Sequence, residues 1–204
     1  MDFLQGVVFG LTLQLSVGPV FFALVQRALS RGWREGVKMA AGVTVVDAGY
    51  MAASAFGAAS LLLIPAVKQV LLWGGAALLL WFAGKLLRSG EETAAATERI
   101  ETSSFTYGMV LTLGNPLTIL FWSGVYGSLL ASGSLGGSGS LFRYSLGCAA
   151  STFLFLGATA LLAGKISRHI SGKTVKRLNQ LVGCVLVVFA IGLLYRAWES
   201  GPIY

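Results

Sequence analysis

The chain predicts an all-α polytopic membrane protein, with six transmembrane helices arranged as two inverted three-helix repeats. Three observations carry this. Of 204 residues, 55% are hydrophobic and only 11% charged, where a soluble domain carries roughly 25% charged residues. Mean hydropathy is +0.77. The charge is also clustered, leaving six apolar runs that approach or exceed the ~20 residues needed to span a bilayer.

The runs fall at about 3–26, 37–63, 66–87, 105–131, 141–164 and 178–195. They occupy almost the whole chain, so 1–204 reads as a single membrane domain with no room for a separate soluble one. The first run is expected to persist rather than act as a cleavable signal. Only Asp2 precedes it as a charged residue, and no small-residue cleavage site follows.

The loops fix the expected orientation. Arg27, Arg31, Arg34 and Lys38 follow run one. Lys85, Arg88 and Arg99 follow run three, and Lys165, Arg168, Lys173, Lys176 and Arg177 follow run five. The other side has Lys68, Arg143 and Arg196. By the positive-inside rule, loops one, three and five are cytoplasmic and both termini lie outside. The net charge of +7 is thereby explained without nucleic acid. Residues 89–104 hold Glu91, Glu92, Glu98 and Glu101, an acidic connector that marks the chain's middle. Residues 131–140 are rich in Gly and Ser and read as a flexible outward linker.

Three runs precede the connector (repeat one, about 1–90) and three follow it (repeat two, about 105–204). An odd number per repeat makes the second enter the membrane in the opposite sense, as in many transporters. Phe3-x-x-Gly6 opens run one and Phe105-x-x-Gly108 opens run four. Gly6-x-x-x-Gly10 is a candidate face for a homodimer; packing within one chain is the favoured use.

Each of those two runs then meets a helix breaker: Ser16-Val17-Gly18-Pro19 and Gly114-Asn115-Pro116. Breakers are costly in lipid, which offers no partner to a freed backbone group. Paired interruptions in the two halves are the best sequence pointer to a transporter's binding site. At ~1.5 Å rise per residue, Pro19, Asp47 and Asn115 lie ~12, ~14 and ~15 Å from the nearest edge of their runs, close to the midplane. Pro suits the first helical position, and Gly or Asn the cap before it. Gly18 and Asn115 are therefore expected to cap two half-helices whose N-termini approach from opposite sides. Such ends favour an anionic group such as a carboxylate. The alternative is a pair of proline kinks that merely shape packing.

Asp47 is the acidic residue inside a run. An intramembrane carboxylate costs roughly 2.5–3.5 kcal/mol on insertion scales, so a function is its default reading. It is a candidate partner for an ammonium group and for proton coupling. The alternative is a carboxylate satisfied locally by Thr44. Gln14 is a further candidate for the substrate site, and Ser16, Thr112 and Thr118 are secondary ones. Cys148 and Cys184 lack a C-x-x-C pattern and read as buried small apolar residues. His169 sits in a basic loop and reads as solvated. No cofactor, metal cluster, nucleotide loop or hydrolytic triad is expected.

Taken together, these residues resemble the lysine-exporter (LysE/RhtB-type) translocator family over essentially the full length. The resemblance rests on Gly18-Pro19, on Gly42 with Asp47, and on Asn115-Pro116 after Phe105-x-x-Gly108. Val17 stands where the family often has a proline, and Leu117 where it often has a lysine. The resemblance implies a bacterial plasma-membrane exporter of amino acids or related zwitterionic or carboxylate-bearing metabolites that exchanges them for protons. The expected substrate site combines Gln14, Gly18, Pro19, Asp47, Asn115 and Pro116. A non-transporting membrane protein, either an assembly partner or an embedded enzyme, is the alternative. An embedded enzyme usually needs two or more catalytic groups at one depth, and a channel lacks its ring of charges here.

Overall fold

The computed structural model describes residues 1–14, 18–56, 64–88, 103–132, 137–167 and 172–199. Among these, all regular structure is helical. We number the helices α1 (Asp2–Gln14), α2 (Pro19–Arg31), α3 (Trp33–Ala55), α4 (Pro65–Leu87), α5 (Ser104–Leu113), α6 (Pro116–Ser132), α7 (Ser138–Ser167) and α8 (Gly172–Glu199).

Helices α4, α7 and α8 are each long and apolar enough to cross a membrane. Two further spans are broken. Helices α1 and α2 meet at 80°, and α5 and α6 at 64°. Both breaks fall at the prolines singled out by sequence. The 23-residue α3 is long enough but more polar, carrying Arg34, Glu35, Lys38 and Asp47. Large apolar side chains such as Val70, Trp81, Leu154, Leu162 and Val188 point outward. That is the normal state of a helix whose outer solvent is hydrocarbon.

Three expectations need correction. The 131–140 segment is less of a linker than its composition implies, since α6 runs on to Ser132 and α7 starts at Ser138. Gly137, at φ +119, makes the turn into α7, and Arg143 pulls its first turn together through Ser140. Lys173, Lys176 and Arg177 are not loop residues but belong to the first turns of α8. Cys184 is exposed, not buried; a small apolar side chain on a lipid-facing surface gains nothing from a protein neighbour. The connector residues 89–102 and His169 lie outside the described residues.

Glycine decides which helices touch. Helix α1 crosses α7, and α3 crosses both α7 and α5. A Cβ added to Gly6 would sit 2.1 Å from the Tyr144 carbonyl oxygen, and one on Gly147 would sit 2.2 Å from that of Phe3. At the α3–α5 crossing, a Cβ on Gly42 would lie 2.1 Å from the Phe105 oxygen, and one on Gly108 would lie 2.4 Å from that of Met39. Both crossings thus pair one x-x-x-Gly segment with another at backbone contact. Gly10 also faces α7, at Ser151 and Cys148, so the Gly6/Gly10 stripe is used inside the chain and not as a free dimer face.

Each crossing is clasped at its end by polar groups. At α1–α7, Arg143 donates to the Asp2 carboxylate at 2.9 and 3.2 Å and to the Ser140 hydroxyl at 3.2 Å. At α3–α5, the Ser104 hydroxyl donates to Glu35 at 2.5 Å and Lys38 donates to Glu35 at 2.6 Å. Arg27 of α2 joins this second cluster, its Nε donating to Ser104 at 2.9 Å, with its guanidinium 4.8 Å from the Tyr107 ring centre. Helix α4 pairs with α8, fixed where the Gln69 amide donates to the Ala197 carbonyl at 2.8 Å.

The packing can be tested at one crossing and at its clasp. Gly42→Ala drives a methyl into the Phe105 carbonyl and should lower stability by about 1–3 kcal/mol, read as the melting temperature in detergent. Gly49→Ala, two turns along the same helix with open space around it, should be neutral or stabilising. Separately, hydrogen bonds from Lys38 and then Ser104 hold the Glu35 carboxyl below its ordinary range. A depressed carboxyl stabilises the fold above its unfolded pKa, and that contribution fades as pH falls. Melting temperature should therefore drop below about pH 4, and Glu35→Gln should flatten that drop.

Candidate functional site

The two helix starts share one backbone hydrogen-bond pattern. Gly18 precedes α2 with Pro19 at the first helical position, and its backbone is extended at φ −117 and ψ −178. Its carbonyl accepts from Phe21 at 3.1 Å and Phe22 at 3.4 Å. Asn115 precedes α6, which starts at Pro116, and its carbonyl accepts from Thr118 at 3.1 Å and Ile119 at 3.4 Å. Proline has no N–H to lose at the first position, so each break restarts a helix with one orphan donor fewer. Gly18 and Asn115 thus stand in the cap positions that sequence assigns them. A Cβ on Gly18 meets no heavy atom within 4 Å, so room lies beside that helix start.

The carbonyls freed at the breaks need partners from elsewhere in the protein. At the second break, the Tyr50 hydroxyl of α3 donates to the Leu113 carbonyl at 2.8 Å. Gln14, the last residue of α1, donates from Nε2 to the Thr152 hydroxyl of α7 at 2.8 Å. The Asn115 amide is buried and donates to the Thr118 hydroxyl at 2.9 Å. Thr112 is buried and bonds back to the Gly108 carbonyl at 2.8 Å, so it serves its own helix. Ser16 lies outside the described residues, and of Pro116 only its place at the start of α6 is described.

Asp47 is 6% exposed and faces into the bundle. Its carboxylate accepts from the Trp122 indole of α6. Thr44 does not serve it, because its hydroxyl donates to the Ala40 carbonyl at 2.9 Å. The ion pairs among the described residues, Lys38–Glu35 and Arg143–Asp2, lie at the two ends of the bundle and do not reach it. Asp47 and Tyr50 are one turn apart, so α3 presents the acid and the phenol together to α6 and to the second break.

A buried collar of Met51, Trp122, Tyr126, Tyr144 and Cys148 continues from there, with Phe9, Tyr50 and Phe121 packed against it. The Phe9 ring stacks 6.4 Å from Phe121 and lies 5.8 Å from Tyr144. Tyr126 and Ser145 share a hydrogen bond between α6 and α7. The Cys148 thiol donates to the Gly6 carbonyl at 3.3 Å, so it is a packed structural thiol. Sequence reasoning missed Trp122, Tyr50 and Thr152. In sequence their only mark is an aromatic or hydroxyl residue within an apolar run, which gives no hint of a partner on another helix.

The model of the LysE type translocator matches residues 11–197. The chain belongs to that family. Relatives of this LysE type translocator include the putative amino acid efflux protein YcgF of Bacillus subtilis, 29% identical and covering 95% of each chain. The leucine efflux protein of Klebsiella pneumoniae is 28% identical over 95% of this chain and 93% of its own. The arginine exporter protein ArgO of Pectobacterium carotovorum is 29% identical over 97% and 98%. No solved structure matches significantly. Family and helices together make this translocator a multi-pass membrane protein.

One prediction tests how the second break is held. Tyr50→Phe removes the phenol from the Leu113 carbonyl and should cost about 0.6–2 kcal/mol, the range for hydrogen bonds in membrane and protein interiors. A melting curve in detergent reads it.

Proposed function

We propose that this translocator is a secondary exporter of amino acids, driven by proton entry through Asp47. The observation that carries it is Asp47 itself, buried with no cationic partner among the described residues, on the helix whose Tyr50 holds the second break. The relatives named for leucine, arginine and general amino acid efflux support the substrate class. In this reading the substrate carboxylate lies at the helix starts near Gly18-Pro19 and Asn115-Pro116. Its ammonium faces Asp47, and Gln14 lines the same space. The aromatic collar supplies a surface for an apolar or cationic side chain.

A single indole donor does not balance a buried negative charge. An ammonium group or a proton would do so, and alternation between the two would couple their movements. Each charge crossing 100 mV releases ~2.3 kcal/mol. At roughly 150 mV that is ~3.4 kcal/mol, enough to sustain about a 300-fold gradient of a neutral substrate.

The two glycine crossings support an inverted-repeat arrangement. They align Phe3 with Phe105, Gly6 with Gly108, Tyr144 with Met39 and Gly147 with Gly42. The same register aligns Asp2 with Ser104, Arg143 with Lys38 and Ser140 with Glu35, the members of the two polar clasps. Five residues beyond the second glycine pair it aligns Asp47 with Thr152, the partner of Gln14. Each repeat thus carries a polar group at one corresponding depth, and of these two Asp47 is the ionisable one. The basic residues of α2, α3 and the start of α8 favour that end as the one in the cytoplasm of a bacterial cell, with the Asp2 end outside.

The test is export from vesicles or loaded cells. Asp47→Asn should abolish proton-linked export while leaving the amount of folded protein unchanged. Undiminished export by that variant would sink the coupling role. Leucine or arginine should also raise the melting temperature of the wild type by binding the folded state.

A further inference from the structure

We propose that the crevice between α4, α6 and α8 is the outer vestibule of the export path and a binding site for a zwitterionic amino acid. The proposal rests on the export reading above, and goes beyond it by assigning a second site and a route.

The crevice encloses about 500 Å³ and is lined by Lys68, Leu72, Leu120, Arg196 and Glu199. That volume is typical of small-molecule sites, ~300–1,000 Å³. One wall is the α4–α8 pair, sealed on itself by the Gln69–Ala197 hydrogen bond. The other wall is α6, which touches α4 only lightly. Leu120 lies four residues beyond Pro116, ~6 Å along the helix from the second break. Arg196 and Glu199 lie in the last turn of α8, and Lys68 in the opening turns of α4. The crevice therefore runs from about one turn beyond the second break to the Asp2 end of the bundle. Its mouth holds two cations and one carboxylate, and its floor is apolar. A carboxylate seated at Lys68, with its ammonium toward Glu199, satisfies both signs at once.

At the opposite end the described part of α2 is packed. By the repeat alignment α2 corresponds to α6, and α8 to α4. Helix α2 packs on α8, with the Gln26 amide donating to Asn179 at 2.8 Å, both side chains buried. Beside it, Ala23, Leu24, Ala28, Met39 and Ala40 are fully buried, and Arg27, Ser104 and Glu35 link α2, α5 and α3. Among the described residues, α2 is packed on its neighbours, whereas α6 leaves a crevice against α4 and α8. On the proposal, that difference corresponds to an outward-facing arrangement. In the alternate state α6 closes on α4 and the Gln26–Asn179 contact opens.

Thiol labelling in vesicles tests this. Leu120→Cys is made in a Cys148→Ala/Cys184→Ala background, with Lys68→Cys as a second reporter should the first misfold. A membrane-impermeant maleimide applied from the outer side should label both reporters. Leucine or arginine should slow the labelling of Leu120→Cys. Adding Lys68→Gln or Glu199→Gln should leave labelling intact and raise the amino acid concentration needed for protection by about tenfold or more, the loss of one charge-assisted hydrogen bond. Reporters inert from outside would overturn the vestibule. So would protection indifferent to both charge variants, or labelling governed only by whether the vesicles contain phosphatidylethanolamine or phosphatidylglycerol, which would make the occupant a lipid headgroup. Counterflow of leucine and arginine by the wild type is read in the same vesicles. Its absence overturns the export reading, whereas counterflow with unprotected reporters overturns the vestibule alone.

Discussion

Hydrocarbon offers no hydrogen bond, and that constraint organises this molecule. A helix broken within the membrane frees backbone carbonyls that only the protein can satisfy. Here the chain breaks two spans, and the repair of the second ties distant helices together. The Leu113 carbonyl draws in Tyr50, which fixes the face of α3 that meets α5 and α6. Asp47 lies one turn away on that same face. The interruption of that helix is thus repaired by contacts that bring the buried acid and the aromatic collar to the second helix start.

Close approach is the second requirement. Tyr50 reaches Leu113 only because α3 and α5 meet at backbone distance, where Gly42 and Gly108 remove the side chains that would hold them apart. The α1–α7 crossing repeats this with Gly6 and Gly147, and Gln14 then reaches Thr152. Without a strong hydrophobic drive between helices in lipid, small residues and interhelical hydrogen bonds hold such contacts. The clasps at Asp2–Arg143 and Ser104–Glu35–Lys38 lie one turn from the glycines and reinforce them at the bilayer surface, where charge is cheaply solvated.

Function follows from what this scaffold leaves adjustable. Helices α1, α3, α5 and α7 are locked at glycine crossings, whereas α2 and α6 are short half-helices attached through the breaks. On the proposed export reading, hinge motion about the second break supplies the change of access. It would move α6 against α4 and α8 while leaving the glycine crossings intact.

The sequence by itself determined the membrane class, the two interruptions, the isolation of Asp47 and the family. Each of these is written locally, in apolar run length, in proline beside a capping residue, or in a charge where none is cheap. It also placed Gly18 and Asn115 at the cap positions, because proline's fixed φ and missing N–H leave few places for it in a helix. Tertiary structure decided the rest. That Asp47 answers to Trp122 and not to Thr44, that Gln14 answers to Thr152, and that Cys184 faces outward all depend on which helix lies beside which. Apolar runs of similar composition carry almost no information about their neighbours, since lipid and protein interior are equally apolar. Pairing is chosen instead by glycine contacts and by hydrogen bonds between residues far apart in the chain.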